Sequence, residues 1–177
     1  MAIERSTRSF PPARLAAVAR RLLNASTLCA ISTVSPIGRP HVNTAYFAWG
    51  PSFWLVWLSA PQSTHSRNLR ANPSAAVAVH DSTQAWGGPD RGIQLFGSAR
   101  EATGAAAEQA ERIYARRFPA FVRSEFGEYR LYRFLPRRVK LFDETALGAG
   151  TFVTATVAHG ALTWRRTEVY RANAGGR

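Results

Sequence analysis

The sequence predicts a mainly β fold in a single domain, a small antiparallel β-barrel flanked by helices. Three observations carry that expectation. At least five short apolar stretches follow one another, separated by clusters of Gly, Pro, Ser and Asn. Two of them, residues 26–34 and 41–49, are joined by the turn SPIGRP, so they read as a hairpin. Helical segments are few, which fits a closed antiparallel sheet better than a helix-wrapped parallel one.

The elements follow in order. Residues 11–24, PPARLAAVARRLLN, read as a helix with proline at its start and Leu15, Val18 and Leu22 on one face. STLCAISTV (26–34) and HVNTAYFAW (41–49) are the hairpin strands, and Gly50-Pro51-Ser52 turns the chain into a third strand, FWLVWLS (53–59). A short helix then begins at Ser63 or Thr64 and stops at Asn72-Pro73. SAAVAVHD (74–81) is a fourth strand, residues 83–91 a loop, and GIQLFGSAREA (92–102) a fifth strand in which Gly97 marks a bulge or a close approach. GAAAEQAERIYARR (104–117) is helical by propensity, and a short helical segment follows from about Pro119. RLYRFLPRRVKLFD (130–143) reads as one or two strands bent at Pro136, TFVTATV as a last strand, and ANAGGR as a loose end. No repeat or long linker divides the chain.

Length and composition narrow the function. A chain of 177 residues builds one core without covalent staples, and 46% hydrophobic against 19% charged residues describes a globular protein. No apolar run reaches the roughly 18 residues of a membrane span, and arginines interrupt the apolar start, unlike a signal peptide. The expectation is a cytoplasmic protein with no membrane partner. Cys29 is the only cysteine, which removes intrachain disulfides and thiolate zinc clusters. It lies in an apolar strand, where a buried, inert thiol is expected. The net charge of +12 invites an anionic partner, yet the basic set is 22 arginines and the single Lys140, dispersed along the chain. Arginine forks onto phosphate and carboxylate oxygens, whereas nucleic-acid binding lacks a recognition-helix motif here.

The candidate site is the turn QSTHSRNLRANP (62–73) that ends the apolar third strand. A helix start leaves amide N–H groups unpaired and favours negative charge, so a phosphate fits against Ser63, Thr64 and His65, with Arg67 adding a charge if it folds back. An ordinary capped helix with a solvated basic face is the plainer reading of the turn by itself. His41, His65, His80 and His159 lack ligand spacing, so no metal site is expected. No nucleophile motif stands out, and Gly148-Ala149-Gly150 lacks the setting of a dinucleotide fingerprint. No catalytic residue is assigned.

The order of these features resembles the FMN-binding split-barrel superfamily, the pyridoxamine 5'-phosphate oxidase-like proteins. The residues that carry the resemblance are Gly38-Arg39-Pro40, FWLVWLS, STHSRNL, Asn72-Pro73 and SAAVAVHD. RGIQLFG (91–97), YARRFPAF (114–121) and VKLFDETALGAG (139–150) are similar to stretches of a small branch of it. The resemblance covers roughly residues 13–152. It implies an antiparallel split β-barrel, with residues 1–10 as an N-terminal arm, 11–152 as the FMN-binding domain and 153–177 as a C-terminal strand and tail. It further implies that Asn43, Thr44 and Ala45, with Leu58 and Ser59, border the flavin ring. Thr64 and His65 stand where the family carries an Arg-Lys phosphate pair, and Asn43 stands where the oxidases carry an arginine aimed at the phosphate. Members are normally homodimers with the flavin at the interface, so Arg130 to Lys140 is expected to face the partner's cofactor.

The expected function is therefore an FMN-dependent oxidoreductase acting on a small molecule. Two readings compete: an F420-dependent reductase on the same fold, whose anionic cofactor tail suits the arginines, and a non-catalytic flavin- or haem-binding protein. The loop TQAWGGPDRG (83–92), with Trp86, is a candidate substrate-side lid.

Overall fold

A computed structural model describes residues 2–171. The chain folds as β1 (Ala2–Ser6), α1 (Pro12–Asn24), β2 (Leu28–Val34), β3 (Pro40–Trp49) and β4 (Leu55–Ser59). It continues through α2 (Thr64–Ala71), β5 (Ser74–His80), β6 (Arg91–Glu101), α3 (Gly104–Arg117), β7 (Arg130–Asp143), α4 (Glu144–Leu147), β8 (Thr151–Ala158) and β9 (Ala161–Arg171). Strands β7-β4-β3-β2-β5-β6 pair antiparallel in that order, and β6 pairs back onto β7, closing a barrel of six strands. β8, β9 and β1 extend outward from β7.

Alternation fills the barrel. Cys29 and Ile31, Val77 and Val79, Ile93 and Leu95, and Val139 and Leu141 share one buried cluster with Phe47, Trp57, Tyr132 and Phe134. Each of the larger side chains contributes about 1.5–3 kcal/mol by leaving water. The stretch FWLVWLS does not alternate because both faces of β4 are covered. Leu55 and Trp57 point to the barrel cluster, while Trp54 and Val56 pack with Ala110 and Tyr114 of α3. α1 buries Leu15, Val18, Ala19, Leu22 and Leu23 and packs on β5, β6, β7 and β9.

Gly97 sits at an irregularity in the β6–β7 ladder, between the pairs Phe96↔Arg138 and Gly97↔Pro136. A Cβ there would collide with the Leu135 carbonyl oxygen, so the close approach expected from the sequence is present. β7 is one strand through Pro136: it pairs with β6 along most of its length, with β4 through its first half and with β8 through its second.

The outer strands depart from the expectation. Residues 1–10 were to be an arm, yet Ala2–Ser6 pairs with β9. TFVTATV was to be the last strand, yet it is followed by β9, eleven residues long, across a hairpin turn at His159-Gly160 with φ of 49° and 80°. Two consecutive positive φ values give the turn the twist a tight hairpin needs, and Gly160 adopts its value without strain. The expected loose end, residues 172–177, lies outside the described residues.

Candidate functional site

The site begins where a ladder stops. β3 pairs with β2 over its length from Pro40 to Tyr46, but with β4 only at Phe47↔Trp57, Ala48↔Val56 and Trp49↔Leu55. Beyond Phe47 the two strands part. The Phe47 amide donates to the Thr27 carbonyl at 3.1 Å, so alternate peptide groups, those of Asn43 and Ala45, face β2. Those of Thr44, one residue out of phase, face the gap. An opening between strands leaves backbone donors and acceptors free for a ligand.

This gap is the mouth of a cleft of about 570 Å³. Asn43, Thr44, Ala45 and Tyr46 form its β3 side, Leu58, Ser59 and His65 its β4–α2 end, and Tyr114, Phe118, Ala120, Phe121, Glu125, Phe126 and Tyr129 the opposite wall. The wall is a chain of ring contacts. Tyr114 meets Phe118 at 4.8 Å and Phe121 at 5.2 Å, Phe121 meets Phe126 at 5.5 Å, and Phe126 meets Tyr129 at 5.8 Å. Tyr46 closes across from β3 with its ring 5.8 Å from Phe118. Arg123 holds the segment in shape by donating to the Phe126 carbonyl at 2.6 Å and lying 3.7 Å from Glu111.

The polar end is a hydroxyl–imidazole cluster. His65 Nε2 and Ser59 Oγ share a hydrogen bond at 2.5 Å, Ser59 Oγ and Ser63 Oγ one at 3.0 Å, and Ser63 Oγ donates to Ser66 Oγ at 2.8 Å. The His65 ring stacks parallel to His41, with centroids 6.4 Å apart. Burial, and then the neighbouring His41, hold the His65 pKa below its usual 6.5, so its ring is neutral at neutral pH. At the other side of the mouth, Asn43 Oδ1 is enclosed with no hydrogen-bond partner. A buried carbonyl oxygen left in that state is an acceptor waiting for a donor.

Six of the nine residues expected at the site, Asn43, Thr44, Ala45, Leu58, Ser59 and His65, line this cleft. The other three stand beside it. Ser63 caps α2 through the Ser66 amide, Thr64 is exposed in the first turn, and Arg67 folds back but donates to the Gln62 carbonyl at 2.8 Å. Glu125 is the one charged residue of the lining. The aromatic wall was not anticipated. Its signal was present in Tyr114 and Phe118, four residues apart on one helix face, followed by Phe121, Phe126 and Tyr129. The 83–92 loop, expected as a lid, contributes nothing to the cleft within the chain, and Trp86 is fully exposed.

Cys29 is buried, and burial pushes its thiol up to about 12, so it is no nucleophile near neutral pH. Among the described residues no three His, Cys, Asp or Glu side chains gather to hold a metal ion. No helix among them is long and apolar enough to cross a membrane.

The sequence profile of a family described as pyridoxamine 5'-phosphate oxidase matches residues 15–143. No curated protein matches the chain. Among solved structures, a haem-binding protein from Mycobacterium smegmatis superposes with a TM-score of 0.64 at 17% identity, over 84% of this chain and 60% of that one. A haem storage protein from Vibrio cholerae gives 0.57 at 21% identity, over 66% of this chain and 86% of that one. An F420 reductase gives 0.52 at 21% identity, over 68% and 94%. At these identities the property shared is the fold.

Proposed function

Since the chain belongs to the pyridoxamine 5'-phosphate oxidase family, we propose that its cleft takes the ring system of a flavin, FMN, and that the protein is an FMN-dependent oxidoreductase acting on a small molecule. The observation that carries this reading is the parting of β3 and β4, which presents a free strand edge, from Asn43 to Tyr46, to an aromatic-walled cleft. A flat heteroaromatic ring with polar edges needs that combination: apolar faces and one strand of backbone donors and acceptors.

The residues fit the ring better than the phosphate. The lining holds no cation, and Arg67 is engaged with the Gln62 carbonyl. The α2 start offers amide groups and the exposed Thr64 hydroxyl, and the remaining charge is assigned to a second copy of the chain. A homodimer is supported by the outer face of the barrel. There Val42, Ser32, Ala76 and Phe96 lie in register across four strands, next to Thr44, Ala30, Ala78 and Gln94. Apart from Phe96 and Gln94 the side chains are small, and Val42 is 63% exposed, as a face awaiting a partner would be. In the dimer the stretch Arg130 to Lys140 of each copy faces the other's cleft.

When bound, the flavin supplies hydride or electron transfer. The chain's own residues orient it along Thr44 and Ala45, exclude water with Phe118 and Phe121, and keep a neutral His65 hydrogen-bonded to Ser59 at the polar end. No acid or base on the protein is required for that chemistry, consistent with the absence of a catalytic motif.

F420 is the second reading, favoured by the cation-free lining, which leaves the charged part of a ligand to lie outside the cleft. A non-catalytic role in holding flavin or haem is the third, favoured by the His41–His65 pair. The absorption spectrum of the purified protein, followed by titration with FMN, F420 and haemin, separates them. Uptake of FMN at about one per chain, weakened about tenfold in Phe118→Ala, is expected. Selective uptake of F420 or haemin, or none, overturns the FMN reading.

A further inference from the structure

Seven of the 23 basic side chains are paired with carboxylates. Arg21, Arg112, Arg123, Arg130, Lys140, Arg166 and Arg171 each lie against a carboxylate. Arg20, Arg116 and Arg117 have no such partner among the described residues, yet they converge on one groove of about 790 Å³, between α1, the end of β3 and α3. Asn24, Trp49 and Ile113 complete its main surfaces.

Two of these groups are held in fixed positions. The Arg117 guanidinium lies over the Phe47 ring at 4.5 Å, and its Nη2 donates to the carbonyls of Leu23 at 3.1 Å and Ser26 at 2.6 Å. Its Nη1 is enclosed with no acceptor. Desolvation lowers its pKa, which marks a half-buried positive charge held by carbonyls and a ring face but by no carboxylate. The Trp49 indole N–H donates to Asn24 Oδ1 at 3.0 Å, fixing that ring against the groove. Three like charges around one hollow repel one another, and an anion placed among them removes the repulsion.

We propose that this groove is a second ligand site, distinct from the cleft, for a small molecule carrying a phosphate or carboxylate on a flat ring. The anion takes the forked donors of Arg20 and Arg116 in the field of Arg117, and the ring packs on Trp49 and Ile113. The site does not depend on the identity of the cleft's cofactor. It does share a wall with it, since Ile113, Arg116 and Arg117 face the groove while Tyr114 and Phe118, on the same helix end, face the cleft.

The test is a titration of the full chain with phenyl phosphate, read at the Trp49 indole N–H by nuclear magnetic resonance, with Trp49→Phe identifying the signal. A saturable shift is expected, with the dissociation constant raised about tenfold in the double variant R20Q/R116Q. Both side chains are exposed, so the variant keeps the fold, and Arg117 is left in place because it caps α1. Inorganic phosphate should bind more weakly than phenyl phosphate. No saturable shift at Trp49, or the same constant in the double variant, overturns the proposal. So does tighter, strongly salt-dependent binding of a short DNA duplex that shifts many arginines alike, because the charge would then belong to nucleic acid.

Discussion

The two sides of the barrel solve the same closure problem differently. On one side β6 and β7 stay paired from Arg91↔Asp143 to Glu101↔Tyr132, and even the irregularity at Gly97 leaves no opening. On the other, β3 and β4 share three pairs and then separate. The first side seals apolar contents, with Ile93, Leu95, Val139 and Leu141 fully buried. The second turns the edge of β3 to a cleft and leaves Asn43 Oδ1 enclosed without a partner, as the interior behind it leaves Trp57 Nε1 and Tyr132 Oη. The difference shows where this fold places its binding capacity: at the seam that is left open, with the sealed side supplying the rigidity that the seam gives up.

The largest effect should come from the sealed interior. Trp57 is fully buried and stacks on Tyr132 at 6.1 Å. Trp57→Ala should cost about 3–5 kcal/mol in urea unfolding. A loss below about 1 kcal/mol would mean that the interior is not continuous behind the seam. At the seam itself Asn43→Ala should behave in the opposite way. Removing an acceptor that has no partner should leave unfolding free energy within about 0.5 kcal/mol of the parent, or raise it, while cofactor affinity falls about tenfold. Equal losses in both measurements would erase the contrast between the two sides.

The smallest effect is a pH dependence. The folded His65 holds its proton less well than the unfolded chain does, because burial and His41 lower its pKa from 6.5. Stability is therefore fully present above 6.5 and is lost as pH falls from there through the lower folded value, since the unfolded state takes up the proton first. His65→Gln should flatten this part of the unfolding-versus-pH curve. An unchanged slope would assign it to other groups.

The sequence made the barrel readable where side chains alternate locally, as in Cys29/Ile31/Thr33 and Ala75/Val77/Val79, and where turn residues punctuate, as in Gly38 and Asn72-Pro73. It hid β9, because Arg165, Arg166 and Glu168 interrupt the alternation of ALTWRRTEVYR. The strand is held by pairing with β8 and β1, not by neighbours in the chain. The β3 and β4 edges of the cleft were legible through the resemblance to a family. The aromatic wall was not, because Phe121, Phe126 and Tyr129 reach β3 only through the tertiary path around α3. Arg67 is expected to aid an anion if it folds back; it does fold back, and one of its N–H groups goes to the local carbonyl of Gln62.

The pairing of β1 with β9, from Ala2↔Arg171 to Ser6↔Thr167, has a consequence for the order of assembly. β1 leaves the ribosome before any stave of the barrel, and its partner emerges after all of them. All six staves are available once Asp143 has been made, so the barrel is free to fold while β1 still lacks its mate. Docking of that early segment then follows closure of the barrel, and until it happens the outer layer has an open strand edge for a chaperone or another nascent chain to capture.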